Sequence, residues 1–229
     1  MSKRDHDIYA SAPMKGLLAE EMAALMPMLQ RCAGARGLLV SAAPGDVPPA
    51  LPLLGHWTRL RLSGDRLGGD VCASPLEPIP FIDDAFDLVL LRHALEMAPL
   101  PPALLGDIVR CLAPGGVLAL TGLHPLGGWS PWWHWRMRGA GGRLSSPLQL
   151  GSWLRREDLQ VERVQRVGRL WPGPASAGHV GAQPLGGGYL LVARKHRSMS
   201  PPIRLRPRPV PARARAGLAS EARRSSSAA

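Results

Sequence analysis

Two short, nearly uninterrupted apolar runs, 86–91 (FDLVLL) and 117–121 (VLALT), flank a segment whose apolar positions recur at helical spacing. Such runs suit strands covered on both faces. Between them, Pro101 and Pro102 open a helix over 101–112. It turns Leu104, Leu105, Ile108, Val109 and Leu112 to one side, and Pro114-Gly115-Gly116 ends it. Strand, helix and strand in this order predict one right-handed crossover unit of a parallel sheet. Upstream, Leu17, Leu18, Met22, Leu25, Met26 and Leu29 predict a helix over 13–32, begun at Pro13 and kinked at Pro27. GLLVSA at 37–42, WTRLRL at 57–62 and GDVCA at 69–73 read as strands one to three. The Pro-rich span 43–56 holds only a stub of helix. Residues 43–68 are too few for two full crossover helices, since each crossover takes about a dozen residues or more. Downstream, 129–138 (WSPWWHWRMR) reads as an aromatic loop, and 147–157 as a helix led by Ser146 as cap and Pro147 as first residue. The alternating runs 159–167 and 188–194 suit an antiparallel pair that closes the sheet.

The chain has 229 residues, enough for one α/β domain with an appendage. Its formal charge of +11 is unevenly placed: from Arg194 onward there are ten basic residues and one acid, a net +9, which leaves +2 for the rest. Three segments are expected: an N-terminal extension over 1–12, a domain over 13–196, and a basic Pro/Arg-rich tail over 197–229, disordered in isolation. No run of eighteen apolar residues predicts a membrane span, and the early charges lead into a helix carrying Glu20 and Glu21, not an apolar signal core. A cytoplasmic location is the default expectation. Cys32, Cys72 and Cys111 are odd in number and widely spaced, which fits small buried hydrophobes, and no His/Cys grouping has zinc spacing.

Pro80-Phe81, Asp83-Asp84, Phe86-Asp87, His93-x-Leu95-Glu96, Arg110-x-Leu112 and Pro114-Gly115-Gly116 follow one another at set spacing. This block resembles the C-terminal half of the nucleotide site in class I S-adenosylmethionine (SAM)-dependent methyltransferases, closely over 78–122 and more loosely through 147–194. The resemblance implies a Rossmann-like α/β fold with a seven-stranded, mostly parallel sheet, here shortened in its N-terminal half, and SAM as the cofactor. Most block positions also have a structural reading: Phe81, Phe86 and Leu95 as core, Asp87 as a strand-end anchor, and the glycines as a turn. Arg92 and His93 leave the C-terminal end of strand four, where open parallel sheets bind their ligands, and so are cofactor-binding candidates.

The first half departs from the family pattern. Aligned on 39–45, the acid that ends strand one becomes Leu39, and the three glycines become Ser41, Ala43 and Gly45. Strand two ends at Ser63 in place of the ribose-binding acid, with Asp65 two residues on, and the strand-three loop offers Ser74 and Glu77. Ser41, Ala43, Gly45, Asp46, Ser74 and Glu77 complete the cofactor-binding set that the resemblance implies. Methyl transfer needs alignment, exclusion of water and at most a base. His124 and His134, after strand five, stand where acceptor-side groups belong, a surface or capping role being the alternative for each. Trp129, Trp132, Trp133 and Trp135 with Arg136 and Arg138 would cover an acceptor, pack on their own sheet, or meet a membrane interface. Tail 197–229 suits nucleic acid or another polyanion, or is simply a solvated segment. The leading function is SAM-dependent methyl transfer to a small-molecule acceptor. The alternative is a lapsed methyltransferase fold kept as a binding module whose tail contacts RNA or other polyanions.

Overall fold

The computed structural model describes residues 8–64, 66–74, 76–138, 141–173 and 183–196. Asp65 and the tail 197–229 lie outside the described residues. The elements run α1 (Ala12–Leu29), β1 (Gly34–Ser41), β2 (Leu54–Ser63), β3 (Arg66–Gly69), β4 (Phe86–Arg92), α2 (Ala94–Met97), α3 (Pro101–Cys111), β5 (Leu112–Leu123), α4 (Trp129–Arg136), α5 (Pro147–Arg156), β6 (Leu159–Val167) and β7 (Gly188–Lys195). The seven strands form one sheet in the order β3-β2-β1-β4-β5-β7-β6. The central four, β2-β1-β4-β5, are parallel, as the apolar runs require, and β7 enters antiparallel between β5 and β6. The expected Rossmann-like sheet is therefore present.

β4 is buried along nearly its whole length because both of its faces are covered. Val89 and Leu91 join Leu38, Val40, Leu118, Leu120 and Leu191 beneath α3, α4 and α5. Leu88 and Leu90 turn the other way and meet Leu25 and Leu29 of α1 together with Leu39 and Ala119. Ile8 and Tyr9, placed by the sequence in an extension, are buried in the first of these clusters. Pro27 falls in the last turn of α1, where the helix ends two residues later. The Pro-Gly-Gly turn lies inside β5: the register passes from Phe86↔Leu112 to Leu88↔Val117, so 113–116 bulge out of the ladder. Ser146 caps α5 as expected, accepting the amide of Gln149 at 3.2 Å.

Four expectations are corrected. Strand three is Arg66–Gly69 and not 69–73, and it pairs antiparallel with β2 (Leu62↔Leu67, Ser63↔Arg66), so a two-residue hairpin replaces a crossover. Among the described residues neither 42–53 nor 70–85 contains a helix, so the stub expected in 43–56 does not form. The aromatic loop is the helix α4, in which Trp129 and Trp133 are buried one turn apart, Trp132 is half-buried and Trp135 is exposed. Cys72 is exposed rather than a strand hydrophobe, while Cys111 is buried and Cys32 half-buried. No helix among the described residues is long and apolar enough to cross a membrane.

Asp87 ties the first half of the sheet to the second. Its Oδ2 accepts the amides of Ala35 (2.8 Å) and Arg36 (3.1 Å), fixing the start of β1 against β4. Replacing Asp87 by Ala removes two bonds to a charged acceptor. The expected loss is about 1–2 kcal/mol, read as a lower urea midpoint with unchanged slope. An unchanged midpoint contradicts this anchoring role.

Candidate functional site

Parallel strands gather their ligand-binding loops at their C-terminal ends. Here those ends are Ser41 of β1, Arg92 of β4 and Leu123 of β5. His93 follows β4 with φ 53°, in the left-handed region that few residues other than glycine adopt. It is held there by its amide to Thr121 O (3.1 Å), and Arg92 O accepts the amide of Ala42 (3.0 Å). The left-handed turn aims the imidazole back under α1.

Two ionic groups fill the space between the strand ends and α1. In the first, His93 Nε2 lies 2.9 Å from Glu21 Oε2 and His93 Nδ1 lies 3.1 Å from Glu96 Oε2. Glu21 and His93 are 0% exposed and Glu96 3%. Two carboxylates facing both ring nitrogens call for two N–H donors, hence an imidazolium. Burial alone pushes the His93 pKa down. The charges and hydrogen bonds of Glu21 and Glu96 outweigh it and push the pKa up to about 10. Glu96 also accepts Tyr9 OH (3.1 Å) and the amide of Leu123. The cluster thus joins the N-terminal segment, α1, α2 and the end of β5. Burial, followed by the Glu96 carboxylate, holds the Tyr9 hydroxyl well above its ordinary pKa.

In the second group, Arg92 pairs with Asp46 and donates to Leu18 O of α1 (2.7 Å). Ser41 Oγ donates to Asp46 Oδ2 (2.7 Å) and accepts the amide of Ala43 (3.1 Å). The loop after β1 is therefore tied to both β4 and α1.

The structure brings together five of the candidate cofactor residues, Ser41, Ala43, Asp46, Arg92 and His93, but as partners of one another or of α1. Gly45 is exposed at φ 70° over open space. Ser74 and Glu77 are not part of this group: Ser74 Oγ closes its own turn on Leu76 N (3.3 Å), and Glu77 is exposed. Of the acceptor-side candidates, His124 is half-buried, accepts the Leu126 amide (3.2 Å) and is pushed down in pKa by burial and by Arg166. His134 is exposed on α4, beside Trp133. Glu21 and Tyr9 belong to no motif. The available signal for Glu21 was an acid inside the apolar stripe Leu17–Leu18–Leu25, which calls for a buried partner.

SAM brings a sulfonium cation, an ammonium group and ribose hydroxyls, and it needs free carboxylates and room at the strand ends. Asp46 is already paired, Glu21 and Glu96 are buried against His93 with only Glu21 Oε1 lacking a hydrogen bond, and β2 ends in Ser63 with Arg61 and Arg66 as neighbours. The groups present do not fit the cofactor. A cavity of about 280 Å³ does remain beside Ser41, Gly45 and Asp46, but it opens across the sheet face toward Arg59, Arg61 and Asp70.

A family model described as a methyltransferase domain matches residues 22–164, well over half of the chain. No curated protein matches. Among solved structures, a SAM-dependent methyltransferase of Thermotoga maritima is similar at 14% identity, covering 85% of this chain and 100% of that one with a TM-score of 0.57. A SAM-dependent methyltransferase of Mesorhizobium loti is similar at 15% identity, covering 77% and 98% with a TM-score of 0.50. At these identities the likeness carries the fold.

The raised His93 pKa sets the sign of a pH effect. The cluster's contribution is complete below about pH 6.5, the unfolded value, and is lost as pH rises through about 10. The stability gap between the wild type and His93→Gln should therefore narrow from pH 7 to pH 10 in urea titrations. Glu21→Ala, which strands a buried charge, should cost about 3–5 kcal/mol at pH 7. A gap that stays constant across that range contradicts the imidazolium assignment.

Proposed function

The chain belongs to the methyltransferase domain family, and we propose that this member keeps the fold as a binding module in which the SAM cleft is closed. Membership implies methyl transfer as the general chemistry and SAM as its cofactor. The observation that carries the proposal is that the charged groups at the ends of β1 and β4 pair with one another under α1, at 0–4% exposure for Glu21, Arg92, His93 and Glu96, with Glu21 Oε1 and Arg92 Nε the atoms left without a hydrogen bond. Admitting SAM would disturb three buried ion pairs, in which the carboxylates of Asp46, Glu21 and Glu96 already face Arg92 or His93. Removing one partner of such a pair costs about 3–5 kcal/mol. The net +9 carried from Arg194 onward suits the same module to acidic partners such as RNA.

A second reading, SAM-dependent methyl transfer to a small-molecule acceptor, is favoured by the family match across 22–164. The two separate in one experiment, calorimetric titration of the full chain with SAM and with its demethylated product. The binding-module reading expects no saturable heat and no thermal stabilisation up to millimolar ligand. Micromolar, saturable binding that Gly45→Arg weakens would overturn it in favour of methyl transfer.

A further inference from the structure

Four exposed apolar side chains meet at the start of α4, although they come from three separate segments of the chain. The amide of His124 donates to Gly187 O (2.8 Å), and the amide of Gly187 donates to Arg169 O (2.9 Å). These bonds draw together the loop 124–128, residues 169–171 and the residues that lead into β7. Leu126, Trp171 and Leu185 stand there at 86%, 63% and 64% exposure, with Leu170 at 40%. Trp171 lies over Gly128, its ring 2.6 Å from the position a Cβ would take, so glycine is what lets the indole rest on the helix start.

From this point α4 continues the same surface. Gly128, Trp132 and Trp135 are spaced i, i+4 and i+7, and so share one side of the helix. Trp171 over Gly128, Trp132 and Trp135 therefore make a row of three indoles along about 10 Å of helix. Trp132 rests edge-on against buried Trp129, with ring centroids 5.6 Å apart, and Trp135 is 57% exposed. The core already takes Trp129 and Trp133, so its packing does not account for the outer indoles. The Arg136 guanidinium sits 5.9 Å from the Trp132 ring and 6.0 Å from the Trp135 ring. A guanidinium held by aromatic faces keeps its charge and its N–H donors.

Single exposed hydrophobes are ordinary, whereas a contiguous group of them marks an interaction surface. Charge selects the partner. Residues 108–156, which include α4, contain six arginines and neither Asp nor Glu, so this stretch complements an anionic surface. Nucleic acid shares that charge, but its phosphates give nothing to exposed Leu126, Leu170 and Leu185. Acyl chains do.

We propose that the tryptophan row of α4 seats this protein reversibly on a membrane surface that carries anionic phospholipid. The indoles lie at headgroup depth, where amphipathic rings are favoured, Arg136 meets lipid phosphate, and the leucines at the helix start reach the acyl boundary. One apolar patch with few cations gives peripheral binding and not insertion. The inference stands apart from the state of the cleft, and SAM binding in either direction leaves it untouched.

The probe is a vesicle of phosphatidylcholine, with or without phosphatidylserine, mixed with the full chain and sedimented at two salt concentrations. The chain should pellet with the phosphatidylserine vesicles, less so at high salt, and stay in the supernatant with phosphatidylcholine alone. Trp135→Ala should weaken the partition about tenfold, the scale of withdrawing one large apolar side chain from the interface. Trp135 is exposed, so this variant spares the core, and circular dichroism checks its fold. Replacing Arg204, Arg206 and Arg208 by Ala should leave the Trp135 dependence in place. The proposal is overturned if neither vesicle pellets the chain, or if pelleting is indifferent to Trp135→Ala and vanishes with the tail arginines. A chain that ignores both vesicles but holds single-stranded RNA through Trp135 overturns it in favour of base stacking on the row.

Discussion

An imidazolium clamped between two buried carboxylates sets the geometry of this protein's ligand-binding end. His93 reaches Glu21 on α1 and Glu96 on α2, and Glu96 in turn takes Tyr9 and the Leu123 amide. A buried ionic group of this kind contributes little net stability over apolar packing, but it is costly to break. Its effect is to specify an arrangement: α1 lies across the strand ends, β4 turns through a left-handed residue, and the N-terminal segment packs into the core. Arg92, paired with Asp46 and bonded to Leu18 O, fastens the same helix from the neighbouring position. In a parallel sheet the strand ends are where a ligand is gripped. Here they are occupied by the chain's own charges.

The other distinctive feature, the missing crossover helices, follows a complementary logic. Residues 42–53 connect two parallel strands without a helix, and β3 folds back on β2 as an antiparallel edge. One face of the first half-sheet thus loses its apolar cover, and β2 places arginines there instead of leucines. Polar side chains on an uncovered face keep it hydrated and protect a short edge from unwanted pairing. The chain has closed the ends of its strands and opened their flank.

Much of this was legible in the sequence. The 86–121 block stated strand, helix and strand through uninterrupted burial and a Pro-Gly-Gly break, and Ser146 announced its cap. Asp87 read correctly as a strand-end anchor. The direction of β3 was missed although Ser63-Gly64 followed by two further polar residues, with Gly64 at φ 59°, is hairpin chemistry. A four-residue strand has too little periodicity to compete with the longer GDVCA run. The helix α4 hid behind Gly127-Gly128 and Pro131, which read as breakers but sit at its start, where glycine and proline are tolerated. The cluster at His93 was half visible. His93 and Glu96 share a motif, whereas Glu21 and Tyr9 arrive from more than seventy residues away, and no local spacing encodes that meeting.

Hydrogen–deuterium exchange of the full chain, with and without millimolar SAM, tests the closed cleft most directly. Strong protection across α1 and residues 93–97 that is the same in both conditions is expected of strand ends sealed by the Glu21–His93–Glu96 cluster. Faster exchange in α1 together with new protection of 41–46 on adding SAM would contradict it, because it would mean that the helix lifts and the cofactor takes its place.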